Sequence, residues 1–270
     1  RPLSRTPPNP TKAPGEIARH LQRITHQHFF RSFDDWLALA VNAFLGDEEG
    51  YMAIMRRYGP RQAPMGETDH SADHFARALG VWMAAMQAEP ADYLGRTYEE
   101  QAVANHYQGQ FFTPESVVAL MAALTLPESL PDDAVVADPA CGSGRMLVAG
   151  IRRNRFATFI GTDTDLTCVH MTALNCLVRN ANTWIIHGNS LSLDAWGGYH
   201  VRRTWLGGTL HRLTPEQATE VLRAPFSRAE TTTSLTAPTV HQPSPDAKAT
   251  LDQVSAQFTT DPKGQRGFGF

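Results

Sequence analysis

Apolar residues recur along the chain with two different patterns, and the change comes near residue 107. Before it, they lie at helical spacing, as in Ile17, Leu21 and Ile24, in Trp36 to Phe44 and in Phe75 to Met86. After it, short apolar runs predict strands at 135–137, 156–161 and 184–187, alternating with helical patterns at 114–124, 146–153 and 164–180. Strands that alternate with helices predict a parallel, right-handed wound α/β sheet.

This pattern divides the chain into four segments. They are a disordered basic arm (1–14), a helical N-terminal domain (15–106), an α/β domain (107–226) and a flexible tail rich in Ser, Thr and Pro (227–270). Within the helical domain, Ser32 is the expected N-cap of a helix that ends at Gly46.

Composition adds three expectations. The apolar content of 42% is ordinary for a soluble protein, and neither a membrane-spanning run nor a signal peptide is recognisable. Three cysteines without a C-x-x-C pair are typical of reduced thiols in a cytoplasmic protein. The net charge of −3 lacks the basic footprint of a dedicated DNA-binding domain, so any DNA contact has to be a local patch.

The residues after the first predicted strand carry the most chemistry. Asp138 stands at the end of the strand, and the small residues 140–144 precede a helix, so a ligand can approach the backbone closely. Leu147 takes the place of the third glycine of a dinucleotide fingerprint. An acidic residue here suits an ammonium group. S-adenosylmethionine (SAM) would place its amino group at Asp138 and its carboxylate at the backbone amides, whereas an ordinary strand-to-helix turn is the alternative.

Two flanking stretches favour the nucleoside ligand. Asp163 ends the next predicted strand, where an acidic residue can hold ribose hydroxyls. Upstream, Thr113 is the predicted N-cap of a helix with Pro114 at its first position and Glu115 in its first turn. We expect Phe111, Phe112 and Thr113 to line the same pocket.

Segments 92–99, 109–114, 138–144 and 161–163 together resemble the SAM-dependent adenine-N6 DNA methyltransferases, most closely the modification subunits of type I restriction systems. The resemblance implies a class I SAM-dependent methyltransferase (Rossmann-like) sheet preceded by a helical domain, with SAM as cofactor and double-stranded DNA as partner. It implies these cofactor-binding residues: Gln110, Phe111, Phe112, Thr113, Pro114, Asp138, Ala140, Gly142, Ser143, Gly144, Asp163 and Asn189.

The catalytic motif of that family, Asn or Asp followed by Pro-Pro and an aromatic residue, is absent from residues 191–226. Asp194 and Tyr199 are the nearest substitutes. Trp196, Tyr199 and Trp205 beside Arg202 and Arg203 could hold a nucleic-acid strand, or could be edge aromatics of a hairpin. We expect too few residues between 191 and 225 for a full sheet, and no target-recognition domain after them. The sheet is thus expected to be truncated, with a protein partner completing it or recognising the target.

Three interpretations stay open: an active methyltransferase with a divergent or partner-supplied catalytic loop, a relative that has lost chemistry and has a regulatory or anti-restriction role, and a folded remnant without ligand. The cofactor motifs argue against the remnant. His70 and His74 have a spacing that can bind zinc, but without further ligands we expect no metal site and solvent-facing side chains.

Overall fold

The computed structural model describes residues 9–24, 28–60, 70–104, 112–230, 258–260 and 266–268. Its helices are α1 (Ala13–Gln22), α2 (Phe29–Leu45), α3 (Glu48–Met55), α4 (Ser71–Ala88), α5 (Tyr93–Ala104), α6 (Glu115–Thr125), α7 (Arg145–Arg153), α8 (Leu166–Leu177) and α9 (Pro215–Glu230). Its strands are β1 (Val135–Asp138), β2 (Thr158–Asp163), β3 (Asn182–Asn189), β4 (Asp194–Arg203), β5 (Gly208–Leu213), β6 (Phe258–Thr260) and β7 (Arg266–Phe268).

Strands β1 to β5 form one sheet in the order of the chain. β1, β2 and β3 are parallel and are joined through α7 and α8, as the alternating pattern predicts. β4 and β5 are antiparallel, so the aromatic segment after β3 is a hairpin. The sheet is therefore mixed, and the expectation of a purely parallel sheet holds only for its first three strands. β6 and β7 form a separate two-stranded pair.

The two faces of the sheet are covered differently. One face buries Phe159 and Ile185 in a continuous apolar cluster that also contains residues of α1, α2, α4, α5 and α8. The opposite face is covered at β3 and β5 by α9, where Ile186 and Leu213 pack against Ala218 and Leu222. The N-terminal helices thus share one core with the sheet, and the division into domains stays a prediction.

Several predicted boundaries are wrong in detail. α1 begins at Ala13, and Ala13 and Pro14 are buried, so the predicted arm over 1–14 is too long. Ser32 is fully buried inside α2, which begins at Phe29 after His28, although the helix does end before Gly46 in the left-handed conformation. α9 continues to Glu230, past the predicted start of the tail. At α1 and α2 the reason is that buried residues extend the helix beyond the expected start: Ala13 and Pro14 in α1, and Phe29 in α2.

His74 is also fully buried, with its ring 5.8 Å from that of His20, so it does not face solvent. His70 caps α4 through its Nδ1 atom, which accepts from the Ala72 amide at 3.1 Å. Among the described residues, no group of three or more His, Cys, Asp or Glu side chains could hold a metal ion. None of the described helices is long and apolar enough to cross a membrane. All three cysteines are free and buried.

Candidate cofactor site

Polar residues end each of the three parallel strands. Asp138 is the last residue of β1, Asp163 of β2 and Asn189 of β3. Because these strands run in the same direction, the three residues lie along the carboxyl edge of the sheet, where open α/β sheets bind ligands. In each case an apolar run forms the strand and the polar residue follows it, which puts the polar side chain at the carboxyl edge of the sheet.

The turn after β1 depends on two glycines. Gly142 and Gly144 have φ angles of 55° and 87°, in the left-handed region that glycine adopts without a steric penalty. A Cβ atom on Gly142 would lie 2.8 Å from Cδ1 of Phe112, and one on Gly144 would lie 3.0 Å from Oγ1 of Thr172. Neither position has room for a side chain.

The backbone amides of this turn are mostly used within the protein. Those of Ala140 and Gly142 donate to Asp138 (3.2 Å) and Asp163 (2.9 Å). Those of Cys141 and Gly144 donate to the carbonyls of Thr162 and Cys141. The expected cradle of glycine amides for a ligand carboxylate is therefore not open. The amides at the start of α7, which have no partner inside a helix, are better placed to receive an anion.

A buried carboxylate, that of Asp92, accepts hydrogen bonds that stabilise the turn. Asp92, just before α5, is 4% exposed. Its Oδ2 accepts from Ser143 Oγ at 2.6 Å, and its Oδ1 accepts from Asn175 Nδ2 and from the Gly95 amide, both at 2.9 Å. Ser143 is fully buried and its hydroxyl donates to Asp92, so its side chain serves the turn rather than a ligand.

Arg145 joins this network to the segment before α6. Its Nε donates to Asp92 at 2.7 Å, and its other two nitrogens donate to Glu99 at 2.7 and 3.2 Å. The same guanidinium donates to the Thr113 carbonyl at 3.0 Å, while Glu99 accepts from the Phe112 amide at 2.9 Å. Arg145 thereby fixes Phe112 and Thr113 against the turn.

These elements enclose a cavity of about 530 Å³, a volume typical of small-molecule sites. It is lined by Phe112, Thr113, Val118, Met121, Asp138, Ala140, Cys141, Gly142, Ser143, Arg145, Met146 and Asp163. Burial raises the pKa of Asp138; the Ala140 amide opposes this effect, and the nearby Asp163 carboxylate adds to it. No ion pair among the described residues involves Asp138 or Asp163, so the cavity presents uncompensated negative charge.

The other predicted cofactor residues have varied positions. Thr113 lies in the cavity wall, but α6 begins one residue later than predicted, with Pro114 at the N-cap position. Asn189 caps its own turn by accepting from the Leu191 amide at 2.9 Å and does not line the cavity. Gln110 and Phe111 lie outside the described residues.

The weak catalytic candidates are not brought together. Asp194 is exposed at the start of β4, opposite Asn189, and accepts from Ser192 Oγ at 2.6 Å. Tyr199 is buried in the middle of β4, and its hydroxyl lies 3.0 Å from Nε2 of His170. Five residues of extended strand separate the two by roughly 16 Å, so Tyr199 cannot form a shelf beside Asp194.

The predicted nucleic-acid set is divided in the same way. Trp196 lies near the carboxyl edge of the sheet, 52% exposed, whereas Trp205 is 91% exposed at the hairpin tip beyond the opposite end of β4. Arg203 lies near that tip and stacks over Phe156 at 4.3 Å. The aromatic and basic residues do not form one surface.

Sequence reasoning missed the residues that hold the turn: Asp92 and Glu99 were recognised only as parts of a motif, and Arg145, Thr172 and Asn175 were not recognised. One signal was available. Arg145 is the first residue of α7, where the helix dipole disfavours a cation, and nearby carboxylates would offset this effect.

Comparison with known proteins agrees with the motifs. Residues 89–210 match the family model of N-6 DNA methylase. The type I restriction enzyme MjaVIII methylase subunit of Methanocaldococcus jannaschii is 35% identical over 142 residues, which are 49% of this chain and 23% of that protein. The chain thus spans about a quarter of the length of this relative.

Among solved structures, the chain is similar to a type I restriction-modification system methyltransferase subunit from Streptococcus thermophilus. The match has 11% sequence identity and a TM-score of 0.34, and it covers 64% of this chain and 57% of that one. A score of this size does not by itself establish a common fold. The resemblance expected from the sequence motifs is confirmed by the other two comparisons: residues 89–210 of this chain match the N-6 DNA methylase family model, and the similar protein is a methylase subunit.

Proposed function

We propose that the cavity binds SAM and that this chain supplies the cofactor-binding part of a methyltransferase acting on N6 of adenine in DNA. The observation that carries the proposal is the pair of carboxylates, Asp138 and Asp163, that face the cavity and form no ion pair with the described residues, while Arg145 in the cavity wall is paired with Asp92 and Glu99. SAM carries an ammonium and a sulfonium group, and either would lower the electrostatic cost of holding two carboxylates in one cavity.

The residues present fit this ligand. Asp138 accepts from the ammonium group of the methionine part. Asp163 already accepts from two backbone amides, yet each carboxylate oxygen has a second lone pair for a ribose hydroxyl. The start of α7 receives the ligand carboxylate. When bound, SAM supplies the electrophilic methyl group, and the chain's own residues bind and orient it.

Catalysis requires groups that the described part of this chain does not place at the cavity. The amino nitrogen of adenine needs hydrogen-bond acceptors to make its lone pair available. Holding such groups in the right position can lower the barrier to methyl transfer by at most about 7–11 kcal/mol. Residues 191–226 contain no Asn or Asp followed by Pro-Pro, and Tyr199 is buried. We therefore expect the acceptors, and most of the DNA contacts, to come from a partner.

The alternative is a relative that binds SAM or DNA and has lost chemistry, with a regulatory or anti-restriction role. It is favoured by the same missing motif and by the buried position of Tyr199.

A methyl-transfer assay tests the proposal. The purified chain is incubated with SAM and unmethylated DNA, and N6-methyladenine is measured by mass spectrometry. We expect the chain alone to produce none above background. Addition of a purified methylase-family subunit that carries the missing motif should produce turnover. That turnover should fall in an Asp163→Ala variant, because charge-assisted hydrogen bonds of this kind contribute about 1–3 kcal/mol.

Two outcomes would change this view. Robust turnover by the chain alone would show that residues 191–226 form a catalytic loop after all, and Asp194→Ala would then be the first variant to measure. SAM binding without turnover under any condition would favour the alternative function.

A further inference from the structure

We propose that the outer edge of β1 binds an extended apolar segment of another polypeptide, which adds a strand to the sheet. β1 is the edge strand of the five-stranded sheet, and no described strand pairs with it on the side away from β2. The inference goes beyond the proposed function, and its test uses no SAM, so either can fail without the other.

The register identifies the groups that the edge offers. The Thr158 amide donates to the Ala134 carbonyl, and Val135 lies opposite Thr158. In a parallel ladder this pattern turns the amides and carbonyls of residues 134, 136 and 138 towards β2. The amides and carbonyls of Val135 and Ala137 therefore point outward. Two donors and two acceptors at a spacing of two residues are what an added strand pairs with.

The surface around this edge is apolar. A cavity of about 580 Å³ runs beside β1, lined by Met121, Leu126, Leu130, Ala134 to Pro139, Met146 and Leu147 among others. Val135 is 50% exposed, and Met121 and Leu124 of α6 are 42% and 51% exposed. Proteins usually protect an edge strand with charged residues, proline, a bulge or a covering element, so an exposed apolar edge strand of this kind is unusual. Burying this apolar surface under an added strand is favourable by roughly 25 cal/mol per Å².

Charge indicates what sort of segment fits. The loop that leads into β1 carries three exposed acidic residues, Glu128, Asp132 and Asp133. Asp132 accepts a hydrogen bond from Asn154, and Arg153 donates to the Pro127 carbonyl, but none of the three acids forms an ion pair with the described residues. Two copies of this chain meeting at β1 would bring six such carboxylates together. A different chain, with basic residues next to an apolar strand, is the complementary occupant.

The outer edge of β1 lies next to the cavity. β1 ends at Asp138, so a strand paired with β1 ends or begins beside the cavity wall formed by Asp138 and Ala140. A partner bound here is in position to contribute side chains to the cavity.

A designed peptide tests the edge directly. The probe is a fluorescent synthetic peptide with two lysines followed by valine and threonine in alternation, and binding to the intact chain is measured by fluorescence anisotropy. Amide hydrogen exchange then reports the site: we expect the Val135 and Ala137 amides to become protected when the peptide binds.

Matched variants separate pairing from folding. Ala137→Pro removes one outward amide without removing a bond to β2, and it should weaken binding by about tenfold, whereas Ala137→Thr keeps the amide and should change affinity by less than about threefold. A Glu128→Lys, Asp133→Lys double variant should weaken binding. Glu48→Lys with Glu49→Lys on exposed positions of α3, far along the chain, should not. Circular dichroism confirms that each variant is folded.

Three results would overturn the proposal. One is that the peptide does not bind. Another is that Ala137→Pro and Ala137→Thr bind it equally well. The third is that the Val135 and Ala137 amides become protected as the concentration of the chain alone rises, since a second copy would then be the occupant.

Discussion

At the scale of single residues, Asp138 is the side chain on which the proposed site depends. It is half-buried and its pKa is raised, first by burial and then by the neighbouring Asp163 carboxylate. A carboxylate kept in this state destabilises the ligand-free protein, because ionisation is less favourable in the folded chain than in the unfolded one. Such a cost is common where a residue serves binding rather than stability.

We therefore predict that Asp138→Asn stabilises the ligand-free protein at neutral pH. The folded-state pKa is raised, so the destabilisation from ionised Asp138 appears as the pH rises and is absent at about pH 4 and below. Asparagine keeps an oxygen for the Ala140 amide. Urea unfolding at pH 7 and pH 4 measures the difference. A variant less stable than the wild type at pH 7 would contradict the assigned state of Asp138.

At the scale of secondary-structure elements, the turn after β1 is held by helices that are distant in sequence. α5 contributes Glu99, which Arg145 at the start of α7 connects to Asp92. α8 contributes Thr172 and Asn175, which donate to the carbonyls of Gly142 and Ser143 in the turn. Arg145 is 8% exposed, so its charge is stabilised by these carboxylates rather than by water. Removing one partner of a buried ion pair leaves the other uncompensated.

For this reason Arg145→Met should lower the free energy of unfolding by about 3–5 kcal/mol, and Arg145→Lys should lower it by less because the charge is retained. Denaturant titrations of both variants beside the wild type supply the measurement. If Arg145→Met were as stable as the wild type, the network would not hold the turn together.

The elements also differ in how far the sequence predicts them. β1 and β2 were predictable because short apolar runs end in Asp138 and Asp163, and the strand that follows them was found for the same reason. The role of the segment that forms β4 was left open, because aromatic and glycine residues suit both a hairpin and a nucleic-acid surface. The role of Arg145 could not be found, since its partners lie 32 to 53 residues away along the chain.

At the scale of the whole molecule, the N-terminal helices and the sheet share one apolar core, which the change of pattern near residue 107 did not reveal. Whether helices pack on a sheet depends on which faces meet, and periodicity does not specify this. His170 lies in this interior, 7% exposed on α8, next to the buried Tyr199 hydroxyl. Burial, with contributions from His187 and Arg212, lowers its pKa to about 4.

His170 should therefore make the stability of the whole molecule depend on pH. Its folded-state pKa is depressed, so its contribution is fully present above the unfolded pKa of about 6.5 and is lost as the pH falls towards 4. We predict that the wild type loses up to about 3 kcal/mol more than a His170→Gln variant between pH 7 and pH 4. Urea unfolding of both proteins between pH 7 and pH 4 measures the difference. If the two free energies of unfolding changed with pH in parallel, the lowered pKa of His170 would be refuted.

The central claim, that the cavity at the carboxyl edge binds SAM, is tested most directly by calorimetric titration of SAM into the intact chain and into Asp138→Asn. Our account predicts saturable binding of one SAM per wild-type chain. It also predicts that Asp138→Asn, although folded and more stable, binds more weakly by about 1–3 kcal/mol, as expected when a charge-assisted hydrogen bond is lost. No binding by the wild-type chain, or equal affinity in the two proteins, would contradict it.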